Sequence, residues 1–391
     1  MRNDISVMVL GLRGFPGVQG GVETHAEHLY TELSKTGCHV EVLVRANYQP
    51  PENPDTWKGM RFTRLWAPKK KSLEAIVHSF FGVVYAAVKR PDILHIHAIG
   101  PALMTPVARL LGLRVVVTHH GPDYERQKWG YAARTMLRLG ERLGMSFANQ
   151  RIVISNVIRS LVHDKYRRAS YLIPNGVSLP PATSTSSGLN AFGLTPGKYV
   201  LLVSRLVPEK RHLDLIQAFD RATLAGWKLA IVGASDHPDN YTRTVLEAAA
   251  NTANVVCTGF QSGQALRELY AHAGLFVLPS SHEGLPIALL EALSYGLQVI
   301  ASDIPANVEV RSPGITFYPV GNVEQLAARL SEKSATAHDV SAAKAIRQHV
   351  ATTYRWSEIA RETLKVYERM VNPSLQTQRD TPPGPAARAS D

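Results

Sequence analysis

The feature that most constrains this chain is a regular alternation of short apolar runs with longer helical stretches, and it occurs twice. Runs at 6–10, 39–44, 61–65, 93–96, 114–118 and 151–154 are rich in Val, Ile and Leu, and helical segments separate them. Such an alternation predicts a parallel sheet, because parallel strands need long crossover connections that are usually helices. A second series starts at 199–203 and continues at 228–232, 255–258, 275–278 and 298–301. The chain has 391 residues, more than one hydrophobic core commonly supports, so an α/β protein of two domains is expected. The Pro/Ser/Thr-rich stretch at 180–188 reads as the joint between them. The expected division is therefore a first domain at 1–180, a linker at 181–190 and a second domain at 191–353. A closing helix follows at 354–371, and the Pro-, Ala-, Ser- and Gln-rich tail at 372–391 reads as disordered.

Composition narrows the class. Hydrophobic residues make up 45% and aromatics 7%, as in an ordinary soluble globular protein. The two cysteines, Cys38 and Cys257, lack C-x-x-C spacing, which fits a reducing cytoplasm, excludes a thiolate metal site and leaves both as small buried apolar residues. The start runs directly into a strand, so no signal peptide is expected. The longest apolar stretch, 75–88, contains His78 and Ser79 and falls short of the ~20 residues that a spanning helix needs. It reads as a buried or interfacial helix.

The net charge of +11 is distributed unevenly. Residues 1–185 hold 24 Lys and Arg against 13 Asp and Glu, while residues 186–391 hold 19 of each. The whole excess lies in the first half, where Arg61, Arg64, Lys69, Lys70 and Lys71 gather near Trp66 and the 75–88 segment. This pattern suits an anionic membrane surface as well as it suits a solvated loop. No nucleic-acid-binding motif accompanies the charge, so nucleic acid is not an expected partner.

Two stretches carry the chemistry. S-R-L-V-P-E-K-R-H at 204–212 puts Arg205 and Lys210 in the loop after the run 199–203, where a cationic pair can meet a diphosphate. S-S-H-E-G-L-P-I-A-L-L-E-A at 280–292 puts Glu283 in a loop and Glu291 eight residues later on an apolar helix, about two turns on at ~1.5 Å per residue. The glycine-rich G-L-R-G-F-P-G-V-Q-G-G at 11–21 follows a strand and precedes a helix, a place where backbone N–H groups can face phosphate, although it is not a G-x-G-x-x-G fingerprint.

These motifs, in this order, resemble the retaining glycosyltransferases of family 4. Further matches are D-I-L-H-I-H at 92–97, V-V-V-T-H-H-G at 115–121 and I-P-N-G-V at 173–177, and the resemblance spans roughly residues 4–371. It implies the GT-B fold, two facing Rossmann-like domains with a C-terminal helix crossing back to the first. It implies transfer of a hexose or deoxyhexose from a UDP- or GDP-sugar to a saccharide acceptor, lipid-linked through a polyprenyl diphosphate, in polysaccharide assembly at the inner face of the membrane. The acceptor hydroxyl would attack from the face that the nucleoside diphosphate leaves, with no enzymic nucleophile.

Site residues follow by motif. Either His119 or His120 would face the donor sugar, with His120 favoured by register with the following glycine, Glu283 would hold its hydroxyls, and Arg205 and Lys210 would neutralise the diphosphate. Gly20, Gly21, Gly284 and Leu285 would lie against the donor, with Arg13 the nearby cation. Gly233 and Phe260 would shape the nucleoside pocket, and Glu291 would grip the ribose. His97 is preferred over His95, with only one of the two expected to face the ligand, and Asp123 either orients the acceptor or caps its turn. No H-E-x-x-H or D-x-D motif occurs among the fifteen histidines and the acids, so no metal is expected. The commoner family form E-G-F-G is here E-G-L-P, and Pro286 has no N–H to offer. A sugar-nucleotide epimerase of the same fold would need acid/base carboxylates that the basic first half is poor in. A non-catalytic nucleotide-sugar-binding protein would be expected to lack Glu283 or Lys210.

Overall fold

The computed structural model describes residues 4–49, 52–69, 73–126, 129–181, 185–235, 238–335 and 339–372, and the chain divides into two compact units. The first comprises Met1–Asn175 with Trp356–Asp391, and the second Gly176–Arg355.

The first unit contains strands β1 (Ser6–Leu10), β2 (His39–Arg45), β3 (Thr56–Trp57), β4 (Met60–Leu65), β5 (Ile93–His97), β6 (Val115–His119), β7 (Gln150–Val153) and β8 (Tyr171–Leu172). They form one sheet in the order β3-β4-β2-β1-β5-β6-β7-β8, parallel except for the β3–β4 pair. Its helices are α1 (Gly21–Ser34), α2 (Glu74–Lys89), α3 (Thr105–Leu110), α4 (Tyr131–Phe147) and α5 (Asn156–Tyr166). A sheet buried on both faces needs apolar residues at successive positions, which is why β1 reads V-M-V-L. Val7 and Val9 join Val40, Val42 and Val44 in a core with Ala26, Leu29 and Leu33 of α1. The alternate residues Leu10 and Leu43 meet α2, packed so closely that a Cβ on Gly82 would lie 2.3 Å from Leu10 Cδ1.

The second unit contains β9 (Tyr199–Val203), β10 (Lys228–Val232), β11 (Val255–Gly259), β12 (Leu275–Leu278), β13 (Val299–Ser302) and β14 (Ile315–Tyr318), all parallel, in the order β11-β10-β9-β12-β13-β14. Helices α6 (His212–Ala222), α7 (Asn240–Asn251), α8 (Gly263–Ala271), α9 (Ile287–Ser294), α10 (Pro305–Val308), α11 (Val323–Ala335) and α12 (Val340–Thr353) belong to it. The last helix, α13 (Trp356–Val371), returns to the first unit, where Trp356, Ile359 and Tyr367 enter the core beside α1.

One detail differs from the sequence reading. The 181–190 stretch lies inside the second unit, its described part docked on α8: the Gly188 N–H and the Thr185 hydroxyl each donate to the Glu268 carboxylate at 2.8 Å, and Leu189 is buried. Ser/Thr/Gly composition signals flexibility, but here those donors satisfy a carboxylate. The helix α2 buries His78, Ser79, Gly82 and Val83 while leaving Phe80, Phe81, Val84 and Val88 exposed. No helix among the described residues is long and apolar enough to cross a membrane. The tail from 373 onward, and Lys70 and Lys71 of the basic cluster, lie outside the described residues.

The turn that leaves β1 is tightly constrained. Gly11 has φ +107°, and a Cβ there would sit 2.3 Å from the His97 carbonyl oxygen. Gly11→Ala combines a left-handed backbone with a backbone clash, so a loss of about 3 kcal/mol or more is expected in denaturant unfolding.

Candidate functional site

In each sheet the order reverses about one strand, and loops at the carboxyl ends of the strands flanking that reversal diverge and leave a crevice. In the second unit the reversal is at β9, between β10 and β12. The loop after β9 carries Arg205 and Lys210, and the loop after β12 carries Glu283. Backbone bonding ties the loops together: the Ser281 N–H donates to the Glu209 carbonyl at 2.8 Å. Lys210 Nζ then reaches Glu283 Oε1 at 2.5 Å, with the side chains only 18% and 10% exposed.

The loop after β9 is also braced from beneath. Ser204 Oγ meets the buried His212 Nε2 at 2.9 Å. Burial, reinforced by the Lys210 charge, lowers His212 to about 3, so it braces the loop as a neutral ring. Arg211 turns the chain into α6 through a left-handed conformation with φ 51°.

Beyond Glu283 come half-buried Gly284 and buried Leu285, and Pro286 sits at the N-cap of α9. The first-turn N–H groups of that helix have no intrahelical acceptor and bring positive partial charge to this edge. The Tyr270 hydroxyl donates to Glu291 Oε2 at 3.0 Å, and Tyr270 stacks on Tyr295 with ring centroids 5.3 Å apart. Burial pushes Glu291 up to about 7 despite that hydrogen bond. Gly233, at the end of β10 with φ 139°, donates its N–H to the Gly259 carbonyl at 2.9 Å. Phe260 follows β11 and is 42% exposed, which rules out the plain reading of a core aromatic.

In the first unit the reversal is at β1, next to β5. Arg13, expected as a donor-facing cation, instead braces the glycine loop. Its Nε donates to Glu23 Oε1 at 2.9 Å and its guanidinium donates to the Gln19 carbonyl. Gly20 is a glycine because a Cβ there would lie 2.1 Å from Glu23 Oε2 and 2.5 Å from Arg13 Nη2. Gly21 opens α1 with free space where its Cβ would be.

The histidines are corrected in one respect and sharpened in another. His95 and His97 were expected to divide, one toward ligand, but residues two apart in a strand share a face. Both are fully buried with rings stacked at 4.3 Å, and the Tyr30 hydroxyl contacts His95 Nδ1 at 2.8 Å and His97 Nε2 at 2.6 Å. The Tyr367 hydroxyl on α13 also reaches His95 Nδ1, at 2.6 Å. His119 is fully buried and bonds Glu141 Oε1 at 2.9 Å. Burial alone would raise Glu141, and hydrogen bonds from His119 and Tyr166 outweigh it, so that carboxyl sits below its ordinary value. His120 is the half-buried histidine at the strand end, with Nε2 2.9 Å from His97 Nδ1. Burial, then the neighbouring His119 and His95, lowers it to about 3, so it offers hydrogen bonds rather than charge.

Sequence reasoning missed His25, which lies on α1 amid ordinary helical residues, is 2% exposed and bonds Asn175 Oδ1 through Nδ1 at 2.9 Å. Asp123 pairs with Arg126 Nη2 at 2.8 Å within its own turn. A surface cavity of about 570 Å³ opens at the amino ends of β1 and β2, the opposite edge of the sheet, and contains none of these residues.

Solved structures with the same architecture are GT-B glycosyltransferases. Sucrose-phosphate synthase from Thermosynechococcus elongatus superposes with TM-score 0.78 at 20% identity, covering 94% of this chain and 99% of that one. HepE from Anabaena, in complex with UDP-glucose, gives 0.75 at 17% identity over 93% and 99%. The family model for Glycosyltransferase Family 4 matches residues 19–179, and that for glycosyl transferases group 1 matches residues 192–339. The chain belongs to glycosyltransferase family 4. The alpha-maltose-1-phosphate synthase of Mycobacterium tuberculosis is 27% identical over 388 residues, 91% of this chain and 97% of that protein. The GDP-mannose:cellobiosyl-diphosphopolyprenol alpha-mannosyltransferase of Komagataeibacter xylinus is 30% identical over 197 residues, 48% and 49% of the two chains.

Glu291 titrates near 7 in the fold against 4.5 ordinarily, so its stability contribution is complete below pH 4.5 and is lost as pH rises through 7. Glu291→Gln removes that loss. The variant should gain up to about 3 kcal/mol relative to the parent between pH 4.5 and pH 8 in urea unfolding, with little difference at the acid end.

Proposed function

We propose that the protein is a retaining glycosyltransferase that uses a nucleoside-diphosphate sugar and needs no divalent ion for the transfer. The observation that supports this most is the Lys210–Glu283 pair at the strand-order reversal of the second unit, with Arg205 on the same loop. A dissociating nucleoside diphosphate needs its developing charge neutralised, and cations held in place before the reaction do this without reorganisation. Glu283 orients Lys210 and accepts hydrogen bonds from sugar hydroxyls, while the N-terminus of α9 adds its dipole. Glu291, carried on the same helix, accepts from ribose hydroxyls and does so best when ionised. The departing phosphate takes the proton of the acceptor hydroxyl, so the carboxylates hold substrate and neither acts as nucleophile.

His120, neutral and at the edge of the first unit, donates to or accepts from saccharide hydroxyls. The acceptor in this reading is a saccharide on a polyprenyl diphosphate at an anionic membrane surface. Trp66 is 65% exposed and meets exposed Phe81 edge to face at 6.3 Å, with Phe80, Val84 and Val88 on the same exposed side of α2. Lys69 is exposed just beyond Trp66, whereas Arg61 is exposed at the amino end of β4 and Arg64 is bound to Asp55 and to the Gln49 and Asn53 carbonyls.

Thermal stabilisation by UDP-, GDP- and dTDP-sugars tests the donor. One nucleotide series should raise the melting temperature of the parent, and Arg205→Ala and Glu291→Ala should abolish the rise. No shift from any series with folded protein would remove the donor assignment. Sedimentation with phosphatidylglycerol vesicles should retain the parent and release Trp66→Ala/Phe81→Ser at least ten-fold. Equal binding to neutral phosphatidylcholine vesicles would contradict the charge component.

A further inference from the structure

Three imidazoles converge at the carboxyl edge of the first unit's sheet. His25 on α1, His97 at the end of β5 and His120 just beyond β6 each contribute one ring nitrogen to a group lying within 4.8 Å of one another. A tetrahedral zinc ion with Zn–N bonds near 2.0–2.1 Å spaces its nitrogens about 3.3 Å apart, so side-chain shifts of about an ångström close the trio.

The surrounding bonds set the ring nitrogens accordingly. Asn175 Oδ1 accepts from His25 Nδ1 at 2.9 Å, which leaves Nε2 with a lone pair, and that buried Nε2 has no hydrogen-bond partner among the described residues. A buried polar nitrogen without a partner is costly, and a ligated ion would supply that partner. The Tyr30 hydroxyl at 2.6 Å from His97 Nε2 accepts that ring's proton and leaves His97 Nδ1 free to ligate. His97 Nδ1 now faces His120 Nε2 at 2.9 Å, and moving the His120 proton to its own Nδ1 frees Nε2 without releasing a proton. Hydrogen bonds to the far nitrogens of ligating histidines are the usual means by which such rings are oriented.

We infer that His25, His97 and His120 form a binding site for a borderline divalent transition-metal ion of the Zn²⁺ type. An all-imidazole donor set selects Zn²⁺, Co²⁺, Ni²⁺ or Cu²⁺ over Mg²⁺ and Ca²⁺, which prefer oxygen. Three protein nitrogens leave a fourth position for water. The site shares His120 with the saccharide contact proposed above but shares nothing with the diphosphate chemistry of the second unit, and ion binding is read without any transfer assay, so failure of one is distinguishable from failure of the other.

The test is titration of chelator-stripped full-length protein with Zn²⁺ against a chromophoric competitor, followed by visible spectroscopy with Co²⁺. One ion per chain should bind with a dissociation constant of micromolar or below, and Co²⁺ should give the intense visible bands of a four- or five-coordinate nitrogen site. His25→Gln and His120→Gln should each weaken binding at least ten-fold and extinguish the bands, while His39→Gln, on an exposed histidine, should change neither. His120 is half-buried at a strand end, so its variant decides the matter even where His25→Gln fails to fold. Absence of stoichiometric binding, or binding that survives His120→Gln, would overturn the assignment.

Discussion

Parallel strand pairing is the constraint on which everything else here depends. It forces a helical crossover between successive strands, buries both faces of each sheet and collects the carboxyl ends of the strands along one edge. Once the order reverses about β1 in one unit and about β9 in the other, the positions of the chemically active loops follow. The glycine loop, His97 and His120 lie at the first such edge. Arg205, Lys210, Glu283, Gly233 and Phe260 lie at the second.

The two edges present different groups. In the first unit the buried titratable groups are held neutral or are paired: burial depresses His25, His95, His97 and His120, and Arg13 is bound to Glu23. Neutral ring nitrogens of this kind suit the hydroxyl contacts and the metal ion proposed above. In the second unit, Arg205 and Lys210 lie on the loop at the strand-order reversal, and the ion pair with Glu283 sets the lysine's direction. A cation held in place in this way is the kind of preorganised group that suits a leaving diphosphate.

Much of this was legible in the sequence because parallel strands buried on both faces are written as unbroken apolar runs. The runs at 6–10, 199–203, 228–232 and 275–278 match β1, β9, β10 and β12 to the residue. The two-residue strands β3 and β8 were missed, since two positions carry no period, and β14 was missed in the polar and Pro-containing stretch around I-T-F-Y. Motif spacing brought Lys210 and Glu283 to the same place, but it did not reveal which charges were already compensated. Arg13 looked like a free cation because its partner Glu23 reads as an ordinary first-turn acid of α1. His25 went unseen for a similar reason: its role depends on Asn175, 150 residues away. The 181–190 stretch misled because composition reports flexibility and says nothing of an acceptor such as Glu268.

The central proposal is that Lys210, held in place by Glu283, does with Arg205 the work that a divalent ion would otherwise do on the leaving diphosphate. The most direct measurement is the single-turnover rate of sugar transfer from the cognate nucleoside-diphosphate sugar in excess EDTA, for the parent and for Lys210→Ala. The expected result is a parent rate unchanged by the chelator and a variant slowed by about 10² to 10³, the usual effect of removing one preorganised charge-stabilising donor. A parent rate abolished by EDTA and restored by Mg²⁺, or a Lys210→Ala rate equal to the parent's, would contradict it.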